Sequence, residues 1–340
     1  MSDDRGVIRT IHVGVGGRGQ WPVDVLSADP RFTPVALVDV VAENLARARE
    51  RSGLPESACF GDVDEAIAKV AADALVICTP TRTHARFCRA GFAAGKPVLV
   101  EKGMTLDWTE ANALVREAEE AGVRFCVSQN YRYNGEMRTL QSALETGRYG
   151  VPHLVDLIHH RHRPEPRTLN YPGAMVWDMA CHHFDNLIFL FGPVARATAV
   201  THGAPWSPYP YDAGVTAVLE FASGPVCTYE LTHQATVPDY RFILQSEQGA
   251  LRTTGDGWEW LPRGERRQFA PAGPPESVPS APPLRSEQGV IDAWYRYIRE
   301  GTEPGISGRN NLETLAACEM VLQAAQQRRT VDRVELGDRS

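Results

Sequence analysis

Between residues 8 and about 127 the chain repeats one pattern, a short apolar run followed by an amphipathic stretch. The runs are "IRTIHVGV", "PVALVDV", "DALVICT", "KPVLVE" and "VRFCVS"; between them lie stretches such as "VVAENLARARERSG", "THARFCRAGFAAG" and "WTEANALVREAEEAG". A strand that is apolar on both faces must be covered on both, and helices that return the chain to the same edge supply that cover. The pattern predicts an α/β domain, a doubly wound parallel sheet over residues 1–127. Gly53, Gly95 and Gly122 stand where three of its helices should stop.

After "NYRYNG" the pattern changes. "VPHLVDLIHHRHR", "VARATAVTHG", "VTAVLEFASGPVCTYELTHQA" and "RFILQSEQGALRTTG" read as strands, with "ASG" and "EQG" as hairpin turns. Helices are expected around Glu136–Thr146 and Trp177–Phe191, with two more near the end. Residues 128–340 therefore read as an α+β domain with a large, mainly antiparallel sheet. Seven prolines between 262 and 283 predict an irregular surface excursion.

Composition narrows the function. The 43% hydrophobic and 23% charged content is that of a soluble globular chain, and a formal net charge of -7 offers no basic surface for nucleic acid or anionic lipid. No run approaches the roughly 20 apolar residues of a membrane span, and the acidic start lacks the basic head of a signal peptide. Seven scattered cysteines, without a C-x-x-C pair, fit reduced thiols and a cytoplasmic address.

Directly after the first run comes "GVGGRG", residues 14–19, with Gly14, Gly16 and Gly19 in G-x-G-x-x-G register around Val15, Gly17 and Arg18. The chemistry demands a tight turn, a backbone free of Cβ atoms and a helix N-terminus aimed at a pyrophosphate. Alone the pattern is weak. Asp39, twenty residues past Gly19 at the end of the next strand, strengthens it, because an acid there bonds ribose hydroxyls and repels a 2′-phosphate. Arg18 is a possible phosphate contact, but no basic residue follows Asp39 in "DVVAEN", so NAD is favoured over NADP.

Ligands bind at the carboxyl ends of strands in parallel sheets. "LVICTP" ends there with Thr79 and Pro80, and "VLVEK" with Glu101 and Lys102, which are expected to project towards the nicotinamide half of a dinucleotide. A solvated strand end is the plain alternative.

The glycine loop, "CTPTRTH", "EKG", "NYRYNG", "WDMACHHFD" and the tail "YIREGTEPGISGRNNLETLAACEMVLQAAQ" occur in an order that resembles the glucose–fructose oxidoreductase / inositol dehydrogenase / rhizopine catabolism family (Gfo/Idh/MocA). The resemblance spans nearly the full length. It implies that His84 and Asn130 join the cofactor site, and that Lys102 stands beside the nicotinamide and the reacting hydroxyl. Asp178 and His182 match the family's acid and histidine. As residues i and i+4 they would share one helical face, continued by Asp185, with His183 about 100° away. Gly103 stands where the family has proline after the lysine, and Ala180 where it has glycine between the acid and the histidine.

The family's chemistry implies that Lys102 steadies a developing alkoxide, that His182 accepts the hydroxyl proton and that Asp178 orients His182. Substrate-hydroxyl partners are expected among Arg132, Tyr133, His160 and His162, with Trp177 as a stacking platform. The histidines of "HHRHR" and "CHH" fit no tetrahedral metal pattern. Three functions stay open. One is an NAD-dependent dehydrogenase or reductase of a sugar, cyclitol or sugar derivative. The second is a redox-neutral glycosidase or lyase retaining its NAD. The third is a non-catalytic nucleotide-binding sensor, as the family's galactose-regulon repressor is. The expected partners are a small carbohydrate or cyclitol and a second copy of the chain, giving a homodimer or homotetramer joined through the second sheet.

Overall fold

The computed structural model describes residues 6–166, 169–264, 271–282 and 286–337. They form two compact units. One contains the described residues up to Asn130 together with Glu287–Leu312; the other contains Tyr131–Ser286 and the residues from Glu313 onward. A single linear boundary at 127/128 would leave Glu287–Leu312 with the second half. That segment instead lies along the last strand of the first sheet, where Val127 N donates to Ile306 O at 2.9 Å and Cys126 bridges Ser307.

In the first unit, β1 (Ile8–Val13), β2 (Phe32–Val38), β3 (Cys59–Phe60), β4 (Ala74–Ile77), β5 (Val98–Glu101) and β6 (Phe125–Ser128) form a six-stranded parallel sheet in the order β3-β2-β1-β4-β5-β6. Helices α1 (Gln20–Ala28), α2 (Ala42–Ser52), α3 (Val63–Lys69), α4 (His84–Ala93) and α5 (Trp108–Glu120) connect the strands. Every residue of β4, β5 and β6 is buried, as strands covered on both faces require. The order reverses between β1 and β4, and this switch point opens a crevice at the strands' carboxyl ends. Asp62 and Asp107 cap α3 and α5 by accepting backbone N–H bonds. Gly53 ends α2 at φ +72°, its N–H donating to Arg49 O.

In the second unit, α6 (Gly135–Glu145) precedes β7 (Pro152–His162). A π-helical turn over Met175–Ala180 then runs into α7 (Cys181–Phe191). The chain continues through β8 (Val194–His202), β9 (Gly214–Phe221), β10 (Val226–Thr232), β11 (Gln234–Ser246), β12 (Gly249–Thr253), β13 (Trp258–Pro262) and β14 (Glu276–Ser277). Beyond β14 the chain passes through α8 (Ser286–Glu300), which from Glu287 belongs to the first unit, and α9 (Gly308–Gln327), which belongs to the second from Glu313, before β15 (Val331–Asp332). The nine strands lie in the order β14-β13-β12-β11-β7-β10-β9-β8-β15. All pairs are antiparallel except β7 with β10. "ASG" and "EQG" do turn β9 into β10 and β11 into β12. Within the proline-rich excursion, β14 pairs with β13; residues 265–270 and 283 lie outside the described residues. No helix among the described residues is long and apolar enough to cross a membrane.

Candidate functional site

The first unit carries a cradle that only glycine can line. Gly14 leaves β1 at φ +79°, and a Cβ there would lie 2.8 Å from the Cys78 carbonyl carbon and oxygen. A Cβ on Gly16 would fall 2.3 Å from Asn44 Nδ2, and one on Gly19 would fall 1.9 Å from Gly14 O. Gly17 faces open space. These contacts press the start of α1 against the end of β1 and keep the loop backbone bare, as close approach of a pyrophosphate requires.

Asp39, part-exposed just past β2, is held by that loop. Its carboxylate accepts from Val15 N at 3.0 Å, Val41 N at 2.9 Å and Asn44 Nδ2 at 3.2 Å. The bare loop and the fixed acceptor beside it fit a dinucleotide with a free ribose 2′-hydroxyl.

Glu101 has a different partner from the one its place at the strand end suggests. It is 6% exposed, and Oε1 accepts from Arg18 Nε at 2.8 Å and Trp21 Nε1 at 3.1 Å, while Oε2 accepts from Lys102 N at 2.7 Å. Arg18 thus turns to carboxylates, Glu101 and also Glu287 at 3.3 Å. The buried acid pins the glycine loop to the end of β5. Glu287 also accepts from Asn130 Nδ2 at 3.3 Å.

Thr79 and Pro80 follow β4 as expected, with Thr79 Oγ1 accepting from Thr83. His84 is 1% exposed, and its two ring nitrogens each lie 2.8 Å from a backbone oxygen, of Thr79 and of Gly103. Burial lowers its pKa while the two carbonyls oppose that shift, and a neutral ring donates its one N–H to one of these oxygens, on the β4 side or the β5 side. Lys102, half-buried, directly follows β5, and its peptide bond to Gly103 is cis.

In the second unit, the part-exposed Asp178 lies on the π turn and His182, 6% exposed, on the first turn of α7. The sequence predicts a continuous α-helix here. The π turn ends at Ala180, between the two residues, and such turns recur at functional sites. Ala180 is fully buried, so its extra methyl joins the core.

Tyr131, which the sequence reading passed over, stacks on His182 with ring centroids 4.0 Å apart and planes 12° apart. The signal was its place beside Arg132 in "NYRYNG". His183 faces the sheet, where Nδ1 meets Tyr229 OH at 2.7 Å and Nε2 meets His159 Nδ1 at 3.0 Å.

Several substrate candidates are placed otherwise. Arg132 is buried and bound in bidentate fashion to Asp185, so its guanidinium is not open to a hydroxyl. Trp177 is 5% exposed and packs in the core, without the open face a platform needs. His160 and His162 do share a strand face, but it is the one opposite buried Val155 and Leu157, and His160 pairs with Glu230 at 3.1 Å. Tyr133 stays half-buried on the 3-10 turn Tyr131–Tyr133.

Known proteins agree with this architecture. Residues 8–129 match the oxidoreductase family with an NAD-binding Rossmann fold, and residues 137–252 match the GFO/IDH/MocA C-terminal domain. An inositol 2-dehydrogenase of Leifsonia xyli subsp. xyli is 32% identical over 302 residues, 86% of each chain. A D-apiose dehydrogenase of Paraburkholderia graminis is 26% identical over 315 residues, 88% of this chain and 82% of that one. The solved structure of an oxidoreductase from Agrobacterium radiobacter, in complex with NAD+, L-tartaric acid and magnesium, superposes with a TM-score of 0.83. It is 21% identical and covers 97% of this chain and 99% of its own. Two matched domains and a relative aligned over most of both chains place the protein in the Gfo/Idh/MocA family of NAD-binding oxidoreductases.

Proposed function

We propose that the protein is an NAD-dependent dehydrogenase or reductase acting on a carbinol or ketone of a sugar, cyclitol or sugar derivative. The observation that carries this reading is similarity over most of the chain to relatives named for polyhydroxylated substrates, inositol and apiose, with the dinucleotide cradle intact.

Gly14, Val15, Gly16, Gly17 and Gly19 would hold the pyrophosphate, and Asp39 the ribose hydroxyls. Arg18, Glu101, His84 and Asn130 would shape the loops around it. Oxidising a carbinol removes a hydride from carbon and a proton from oxygen; NAD, when bound, supplies the acceptor for the hydride. The proton falls to side chains. His182 accepts it, since imidazole titrates near ~6.5. Asp178 orients the imidazole and favours its charged form. The Lys102 ammonium donates to the substrate oxygen and stabilises its negative charge as the proton leaves.

The test is a panel of polyols and aldoses offered with excess NAD. Accumulation of reduced nicotinamide in step with substrate loss supports the reading. Turnover without net reduction would instead indicate a redox-neutral enzyme retaining its cofactor, and sugar binding without turnover a sensor.

The second sheet has an outward face on which Val200 and Val218 are 56% and 40% exposed. Val215, Ala217, Leu219 and Phe221 point into the core, so "VTAVLEF" offers a partner less apolar surface than its composition suggests. Association of copies through this face remains our expectation. A monomer in light scattering at micromolar concentration would contradict it.

A further inference from the structure

Tyr131 and Arg132 are consecutive on one 3-10 turn, and His182 and Asp185 lie three residues apart on α7. The two segments meet at two points. The Tyr131 ring lies flat on the His182 ring, and Arg132 Nε and Nη2 donate to Asp185 Oδ2 and Oδ1 at 2.8 and 2.5 Å. Thr314 Oγ1 adds a third bond to Asp185, at 3.0 Å. Residues i and i+3 lie on one side of a helix, so the ion pair fixes the height at which the Tyr131 ring meets His182. The pair is 6% and 1% exposed, so it is shielded from solvent screening.

From this geometry we infer that Tyr131 is a positioning residue for His182, its ring face setting the imidazole plane and stabilising the imidazolium form. The inference rests on the reading of His182 as proton acceptor. A parallel stack covers one face of the imidazole and leaves both ring nitrogens at its edge, the direction from which a hydroxyl proton must come. The tyrosine face carries negative quadrupole density, which attracts a cation held over it without itself exchanging a proton. Charged or titratable groups on the packed segments are Tyr131, Arg132 and Tyr133 on the 3-10 turn, Asp178 on the π turn, and Cys181, His183 and Asp185 on α7, where burial keeps His183 neutral against Tyr229. Arg132 and Asp185 neutralise each other, and Asp178 is unchanged in the variants below.

The experiment is an NMR titration of the His182 ring on the full chain, with and without NAD, the resonance being assigned by its loss in His182→Gln. Tyr131→Phe retains the ring face and should leave the His182 pKa near its native value. Pentafluorophenylalanine at position 131 keeps the shape but reverses the quadrupole, and should lower that pKa by about one unit. With an active substrate, the acid limb of the kcat profile should move with it while KM holds. A native His182 pKa with the fluorinated ring would overturn the inference. So would an equal drop in Tyr131→Phe, which would make the hydroxyl, not the face, responsible. The titration needs no turnover, so it stands apart from the assay in which His182→Ala tests the catalytic reading itself.

Discussion

Arg132 and Asp185, 53 residues apart in sequence, close a bidentate ion pair inside the second unit. Desolvating both charges offsets much of their attraction, so the pair's net worth is small, but removing one partner strands the other. Arg132→Leu should therefore destabilise the protein by about 3–5 kcal/mol, and Arg132→Leu with Asp185→Leu by much less. Urea unfolding of the two variants beside the native protein checks this. Equal losses in single and double variants would mean that the pair does not hold the turn to α7.

Acid should weaken the fold in a defined window. Burial lowers the pKa of His12, His183 and His233 to about 3 and of His159 to about 4, and neighbouring cations push the last three further the same way. Unfolded histidine titrates near ~6.5, so between that pH and about 4 the unfolded chain binds protons that the folded chain refuses. The stability is fully present above about pH 6.5 and is lost as pH falls, with each such histidine adding a slope of up to about 1.4 kcal/mol per pH unit. Unfolding free energies measured from pH 7 to 5 should fall steadily, and less steeply in His12→Asn. A flat profile would show these rings to be solvated.

What could be read beforehand was local. The parallel sheet followed from runs apolar on both faces, and the cradle from glycine spacing joined to Asp39. The strand Cys59–Phe60 escaped because two residues carry no period. The face of His160 was ambiguous because Ile158, on the outer face, interrupts the contrast with buried Val155 and Leu157. The π turn looks like ordinary helix, since its hydrogen-bond shift leaves no mark in residue types. Arg132 with Asp185 and Glu101 with Arg18 are pairings across long sequence separations, which one sequence does not reveal. The approach of the His84 ring to the Thr79 and Gly103 carbonyls is likewise not written in its motif.

Cofactor preference should follow Asp39. NAD is expected to bind at least tenfold tighter than NADP, about 1.4 kcal/mol, because the carboxylate accepts from hydroxyls and repels a phosphate. Asp39→Ala should narrow that gap, weakening NAD by removing its acceptor and freeing Asn44. Calorimetric titration of both nucleotides decides. Equal affinity in the native protein would contradict the assignment.

The proton-transfer scheme is tested most directly by single-turnover hydride transfer in Lys102→Met, His182→Ala and the double variant, once an active substrate is in hand. The account predicts intact folding and NAD binding, since the glycine loop and Asp39 are untouched. It predicts a loss on the order of 100-fold or more in each single variant, and a double loss far below the product because both side chains act on one proton. Near-native transfer in Lys102→Met, or a lowered melting temperature with turnover preserved in the folded fraction, would contradict it and leave Lys102 as a solvated strand end.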